Sequence, residues 1–298
     1  MSFRGAMTAL VTPFTDDDRI DEKAVERLVD FQVAGGIEGI ILSGTTGESP
    51  TVTTSERQRL LEVAKARVGG RVPLIVGTGS NSTKVTIEET KAAKAAGADG
   101  VLVVCPYYNK PNQEGLYQHF LAIYEATGVP IIAYNVPSRT VTDLMPETIA
   151  RLVDKGAIAG VKDATASMQR AIETIALVGD RPFDFLSGDD FSFMGFVAVG
   201  GHGVISVVSN LLPRDTAKIV RETRAGNLAV AQKLNQRVVL LAKSLFSDTS
   251  PIPLKAAMGL LGLCSPRLRL PLVDASEDVV KKVRAALTAF EASESAAQ

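Results

Sequence analysis

PIIAYNVPSRTVTDLMPETIARLVDKGAIAGVK, residues 130–162, decides the fold. It opens and closes on short apolar runs, PIIAYNV (130–136) and AIAGVK (157–162), each too short to be a helix by itself. Between them Pro146 takes the position of a first-turn proline, Ile149, Leu152 and Val153 follow on one face, and Gly156 is placed to end the helix. Strand, helix, strand within about thirty residues is the unit of a parallel α/β protein. The near-continuous apolarity of the runs predicts strands covered on both faces.

Outward from this stretch the unit repeats. AMTALVT (6–12), GIILSG (39–44), PLIVGT (73–78) and GVLVVC (100–105) precede it, and FDFLSG (183–188) and GVISVV (203–208) follow, giving eight β-type runs. Thr53 and Glu56 form a capping box ahead of Leu60, Leu61, Ala64 and Val68, while Gly97 and Gly128 close helical patterns over 83–96 and 113–127. Eight alternations predict the α/β class, as a single (β/α)₈ TIM barrel over residues 1–225. Residues 226–298 are expected to form a C-terminal helical extension of the same domain. The pattern over 214–246 predicts one long amphipathic helix, with others over 251–263 and 276–292. A doubly wound sheet would usually carry a glycine-rich phosphate loop after its first strand. Here that strand runs into TPFTDD, and neither GxGxxG nor GxxxxGK[ST] occurs anywhere.

Composition narrows the class of function. With 46% hydrophobic and 22% charged residues and a net charge of −1, the chain suits a large core, and no nucleic-acid or membrane partner is expected. Two cysteines without CxxC spacing, and a poor signal-peptide pattern at the N-terminus, predict a cytoplasmic, reducing location. Two distant histidines give no metal site, and the sequence calls for no cofactor.

Barrels of this class work at the carboxyl ends of their strands. There the chain offers Thr12; Ser43, Thr45 and Thr46; Thr78; Tyr107 and Tyr108; Tyr134, Asn135 and Arg139; Lys162 and Asp163; Ser187, Gly188 and Asp189; and Ser206. Lys162 alone among the lysines ends an apolar strand, where desolvation disfavours the ammonium form and favours a nucleophilic amine. The competing expectation is an ion pair with Asp163 or another loop carboxylate. GTTGE (44–48) supplies hydroxyls and closely spaced N–H groups suited to a small carboxylate, or else is a plain β–α turn. Tyr134 is a candidate proton carrier and Arg139 a candidate carboxylate clamp; singly, such residues are more often a packed ring and a solvated charge. An amine, a carboxylate cradle and phenols on one face together describe carbonyl chemistry through an iminium ion.

Six ordered stretches carry a resemblance: GTTGE (44–48), PYYNKP (106–111), YNVPSRT (134–140), GVKDAT (160–165), SGDD (187–190) and GGHGVIS (200–206). Over essentially its whole length the sequence resembles the dihydrodipicolinate synthase and N-acetylneuraminate lyase superfamily of class I aldolases, and within it the synthase branch. The resemblance implies a lyase that holds pyruvate as a Schiff base on Lys162 and condenses it with L-aspartate 4-semialdehyde. It implies Tyr134 as the acid/base, Thr45 linking it to Tyr108, and Thr45 and Thr46 at the pyruvate carboxylate. Arg139 would take the aldehyde's carboxylate, and Gly188 and Ile205 would lend backbone carbonyls. Tyr108 would cross from a neighbouring subunit, implying a homotetramer built as a dimer of tight dimers. A sister aldolase acting on sugar acids and a non-catalytic metabolite-binding barrel are the alternatives. Lysine-inhibited members use a carboxylate where this sequence has Val85, and often His where it has Arg57, so weak feedback by lysine is expected although Ser49, Asn81 and Tyr107 are kept.

Overall fold

Eight parallel strands close on themselves: β1 (Gly5–Ala9), β2 (Gly39–Leu42), β3 (Leu74–Gly77), β4 (Gly100–Val104), β5 (Ile131–Asn135), β6 (Gly160–Asp163), β7 (Asp184–Ser187) and β8 (Gly203–Ser206). Each pairs with the next, and β8 returns to β1 with Met7 opposite Ile205. The computed structural model describes residues 2–295. Around the barrel run α1 (Glu22–Ala34), α2 (Thr54–Val68), α3 (Thr83–Ala95), α4 (Gln113–Thr127), α5 (Pro137–Thr140), α6 (Pro146–Asp154), α7 (Met168–Val178), α8 (Phe193–Ala198) and α9 (Pro213–Arg224). Beyond them lie α10 (Leu228–Leu245), α11 (Ile252–Leu260) and α12 (Glu277–Ser295). No helix among the described residues is long and apolar enough to cross a membrane.

The continuous apolar runs have the cause their pattern suggested. In GVLVV (100–104), Val101 and Val103 pack against the surrounding helices, whereas Leu102 joins Met7, Ile41, Ile75, Ile132, Leu186 and Ile205 inside the barrel. Successive side chains alternate faces, so a strand between two apolar layers needs apolar residues at every position. Each fully buried Leu, Ile or Val contributes about 1.5–3 kcal/mol, and the two layers together make the barrel a rigid mount for its upper rim.

Local signals act as their chemistry requires. Thr53 accepts from the Glu56 N–H while the Glu56 carboxylate takes the Thr53 N–H, completing the capping box. Two expectations need correction. β1 stops at Ala9 although Leu10 and Val11 stay buried, so the first apolar run is longer than its paired segment. The helix expected over 214–246 is two, α9 and α10, broken at Ala225-Gly226-Asn227 where Gly226 takes a φ of +80°. The apolar period persists across the break because both helices bury the same side, and a glycine in left-handed backbone is what stops the first.

Candidate active site

The register of β5 and β6 sets Tyr134 directly opposite Lys162. Leu186, opposite Lys162 on the other side, and Tyr134 both belong to the barrel interior, so Lys162 points inward with them. The lysine is 5% exposed, and its Nζ lies 4.3 Å from the centre of the Tyr134 ring. Among the described residues no carboxylate pairs with it.

Alternation sends the neighbouring Asp163 to the other face. Its carboxylate accepts from the Thr165 N–H at 2.8 Å, the Thr165 hydroxyl at 2.6 Å and Arg170 Nε at 3.1 Å. Arg170 in turn reaches Asp143 and the Leu144 carbonyl, and Asn135 bridges Asp143 and the Leu144 N–H. The ion pair between Lys162 and Asp163 therefore does not form. A buried acid beside the amine is spent outside the barrel on holding the β5 and β6 loops together. Arg170 escaped the sequence reading because it sits in the first turn of α7 with no motif around it. The only signal was that an aspartate buried at a strand end needs a cation somewhere.

Gly188 has a steric reason to be glycine. A Cβ there would stand 2.9 Å from Lys162 Cε and from the Ala164 Cβ, so the lysine stem runs where a side chain would be. Ile205 is buried inside the barrel on β8. The turn that follows it is fixed by Asp190, whose carboxylate accepts from the Val207 and Val208 N–H groups, both at 2.9 Å. Burial pushes the Asp190 carboxyl above its ordinary range against those hydrogen bonds.

GTTGE forms a tight turn after β2, with the Glu48 N–H on the Thr45 carbonyl at 3.1 Å and the Ser49 N–H on the Gly44 carbonyl at 3.1 Å. The N–H groups and hydroxyls of Thr45 and Thr46 donate to no protein group among the described residues, so four donors are free for an anion. Arg139, on α5, donates to the Ser250 carbonyl at 3.2 Å and has no carboxylate partner among the described residues. Thr45, Val136, Arg139 and Thr140 line a cavity of about 400 Å³. Val85, Tyr107 and the ion pair of Arg57 with Glu89 also line it, and Arg57 donates to the Ser43 hydroxyl at 3.0 Å. Of the residues named from the strand ends, Thr45, Thr78, Tyr107 and Arg139 line this cavity, Lys162 and Tyr134 face each other inside the barrel, Asp163 turns to the outer face, and Tyr108 stands apart. Tyr108 is 89% exposed at a φ of +73° and makes no hydrogen bond with the described residues.

A closed (β/α)₈ barrel with an uncompensated lysine at the tip of β6 and open anion donors at its rim defines an enzyme of the class I aldolase type, a lyase. Residues 2–290 match the model of the dihydrodipicolinate synthetase family, and the chain belongs to that family. It is 48% identical over 286 residues to the 4-hydroxy-tetrahydrodipicolinate synthase of an Anaeromyxobacter species, covering 96% of this chain and 97% of that one. Among solved structures, dihydrodipicolinate synthase from Thermotoga maritima superposes with a TM-score of 0.95 at 43% identity, covering 98% of this chain and 99% of the other. A chloride-inhibited Acinetobacter baumannii dihydrodipicolinate synthase, solved in complex with pyruvate, gives a TM-score of 0.95 at 39% identity, covering 97% and 99%.

Proposed function

We infer that the chain acts as a 4-hydroxy-tetrahydrodipicolinate synthase, a lyase of lysine and diaminopimelate biosynthesis, joining pyruvate to L-aspartate 4-semialdehyde. The observation that carries this at residue level is the buried amine of Lys162, without a carboxylate partner among the described residues and in register with Tyr134. Lys162 attacks the keto carbon of pyruvate, and loss of water leaves an imine. Removal of a methyl proton gives an enamine, whose carbon attacks the aldehyde. The amino group of the second substrate then adds to the imine carbon, closing a ring and releasing the lysine. Thr45 and Thr46 hold the pyruvate carboxylate, and Tyr134 carries protons to and from oxygen and nitrogen. Borohydride reduction with pyruvate, followed by peptide mapping, tests this: the adduct is expected on Lys162, and an adduct on another lysine overturns it.

Arg139 selects the second substrate by its carboxylate, with the carbonyls of Gly188 and Ile205 beside the nascent imine. Arg139→Ala is expected to raise the KM for aspartate semialdehyde by about tenfold or more while pyruvate trapping stays near native, because a charge-assisted fork is lost from one substrate alone. A larger effect on pyruvate contradicts the role, and turnover of sugar aldehydes alone would remove the synthase reading.

Tyr108 supports a second subunit. A large ring 89% exposed on left-handed backbone costs about 1–2 kcal/mol in backbone strain, a cost that burial by a partner would offset. The proposed assembly is a homotetramer of tight dimers in which Tyr108 completes the neighbour's Tyr134–Thr45 relay. Sedimentation at micromolar concentration is expected to give a mass that is a multiple of two chains; a monomer with full activity refutes it. The free, buried Cys105 and Cys264 suit a cytoplasmic enzyme.

Weak feedback by lysine is proposed because Glu89, a carboxylate lining the cavity, already pairs with Arg57, and Val85 offers no other. Activity is expected to persist at sub-millimolar lysine, and strong inhibition there would disprove it.

A further inference from the structure

Glu48, the last residue of GTTGE, is 2% exposed and sits at a φ of +55°, a left-handed conformation that costs a non-glycine residue about 1–2 kcal/mol. Its two carboxylate oxygens have different partners. Oε1 takes Lys255 Nζ, and Oε2 takes the Arg269 N–H at 3.0 Å. Lys255, on α11, is 0% exposed and also donates to the Arg267 carbonyl at 2.7 Å. The Phe14 ring, after β1, has both Lys255 Nζ and the Arg269 guanidinium 4.2 Å from its centre. Arg269 returns to the start of α2, binding Glu56 and the Thr51 carbonyl, and that guanidinium holds the Glu56 carboxyl down to about 2. The same extension supplies the Ser250 carbonyl that Arg139 touches.

We propose that Glu48 and Lys255 are a positioning pair through which the C-terminal extension sets the turn that receives pyruvate's carboxylate. A fully buried ion pair is a poor choice for stability, since apolar residues of the same volume usually do as well or better. What the charges add is orientation: two oxygens with separate fixed donors leave the carboxylate one placement, and Glu48 is two residues from Thr46 within a single turn. Burial draws the Lys255 ammonium below its ordinary value even beside Glu48, so the pair is retained at an energetic cost. The extension is in this sense part of the active site, setting the free N–H groups of Thr45 and Thr46 at the fixed spacing a carboxylate needs.

The inference rests on those two threonines forming the pyruvate cradle, and the test separates the two ideas. The readout is the pyruvate concentration giving half-maximal borohydride trapping on the full-length enzyme, beside the thermal midpoint. Lys255→Met is expected to raise that concentration about tenfold or more, because a misplaced cradle binds the carboxylate poorly. Replacing both partners, Glu48→Gln with Lys255→Gln, should recover most of the loss by joining two amides without charge. A folded Lys255→Met enzyme that melts earlier yet traps at native pyruvate concentration would show a merely structural pair and overturn the proposal. If Lys255→Met does not fold, Arg269→Met loosens the same segment with the pair intact; a severalfold rise supports the proposal and no rise overturns it. Thr46→Val is the control: if it leaves trapping unchanged, the cradle assignment itself fails, whereas a rise there with none in the extension variants sinks the positioning role alone.

Discussion

Lys162→Ala yields a folded protein that forms no borohydride-stable adduct with pyruvate and turns over at most about one ten-thousandth as fast as the native enzyme, the scale seen when a covalent nucleophile is removed. The geometry adds a second expectation that a structural lysine would not meet. Lys162 is almost fully buried, lies beside Leu186 and the Tyr134 ring, and has no carboxylate partner among the described residues. The favourable contact an amine has there is with the face of the Tyr134 ring, 4.3 Å from its centre, and no carboxylate among the described residues offsets its burial. Lys162→Met, which keeps the stem over Gly188 and deletes the charge, should therefore melt at or above the native temperature while remaining inactive. Calorimetry beside the trapping assay checks both halves. A large fall in thermal midpoint for the methionine variant would mean that the amine holds the fold together and that its nucleophilic role has been misassigned.

The barrel was legible because its information is local and repeated. Every strand is a short apolar run, every helix carries a stripe, and the punctuation by Gly97, Gly128, Pro146 and Gly156 falls where chain geometry demands it. The break between α9 and α10 was not, since Gly226 interrupts the backbone but not the apolar period. At the site, strand ends and ordered motifs pointed to Lys162, Tyr134, Thr45 and Thr46, residues that lie on or directly after barrel strands. What escaped were the partners of buried charges: Arg170 for Asp163 only seven residues on, Glu89 for Arg57 at 32, and Lys255, 207 residues from Glu48. A single sequence marks a buried charge as needing a counter-charge but does not say which of 32 basic or 33 acidic residues supplies it. The glutamate of GTTGE read as part of an anion-binding turn. In three dimensions it faces away from the ligand side, toward α11, and its chemistry concerns the turn's shape.

Tyr134→Phe separates the proton carrier from the packing ring. The ring lies in the barrel interior with Ile132, Leu186 and Ile205, and phenylalanine fills that space, so the thermal midpoint should stay within a few degrees of native. Only the hydroxyl is lost, and the apolar surroundings of the ring are unchanged. Chemistry should suffer instead. Imine formation must deliver a proton to the departing oxygen, and enamine formation must remove one from the methyl group; a positioned acid/base typically accelerates such steps by about 10²–10⁴-fold. Turnover is expected to fall by about that factor, while pyruvate still reaches Lys162 and trapping still proceeds, only slowly. Thr45→Val should give a smaller loss, since in the proposed relay that hydroxyl stands behind Tyr134, one step away from the reacting carbon. If the phenylalanine enzyme turned over within about tenfold of native, water would have to be the proton carrier, and the register between β5 and β6 would serve only to pack a ring against an amine.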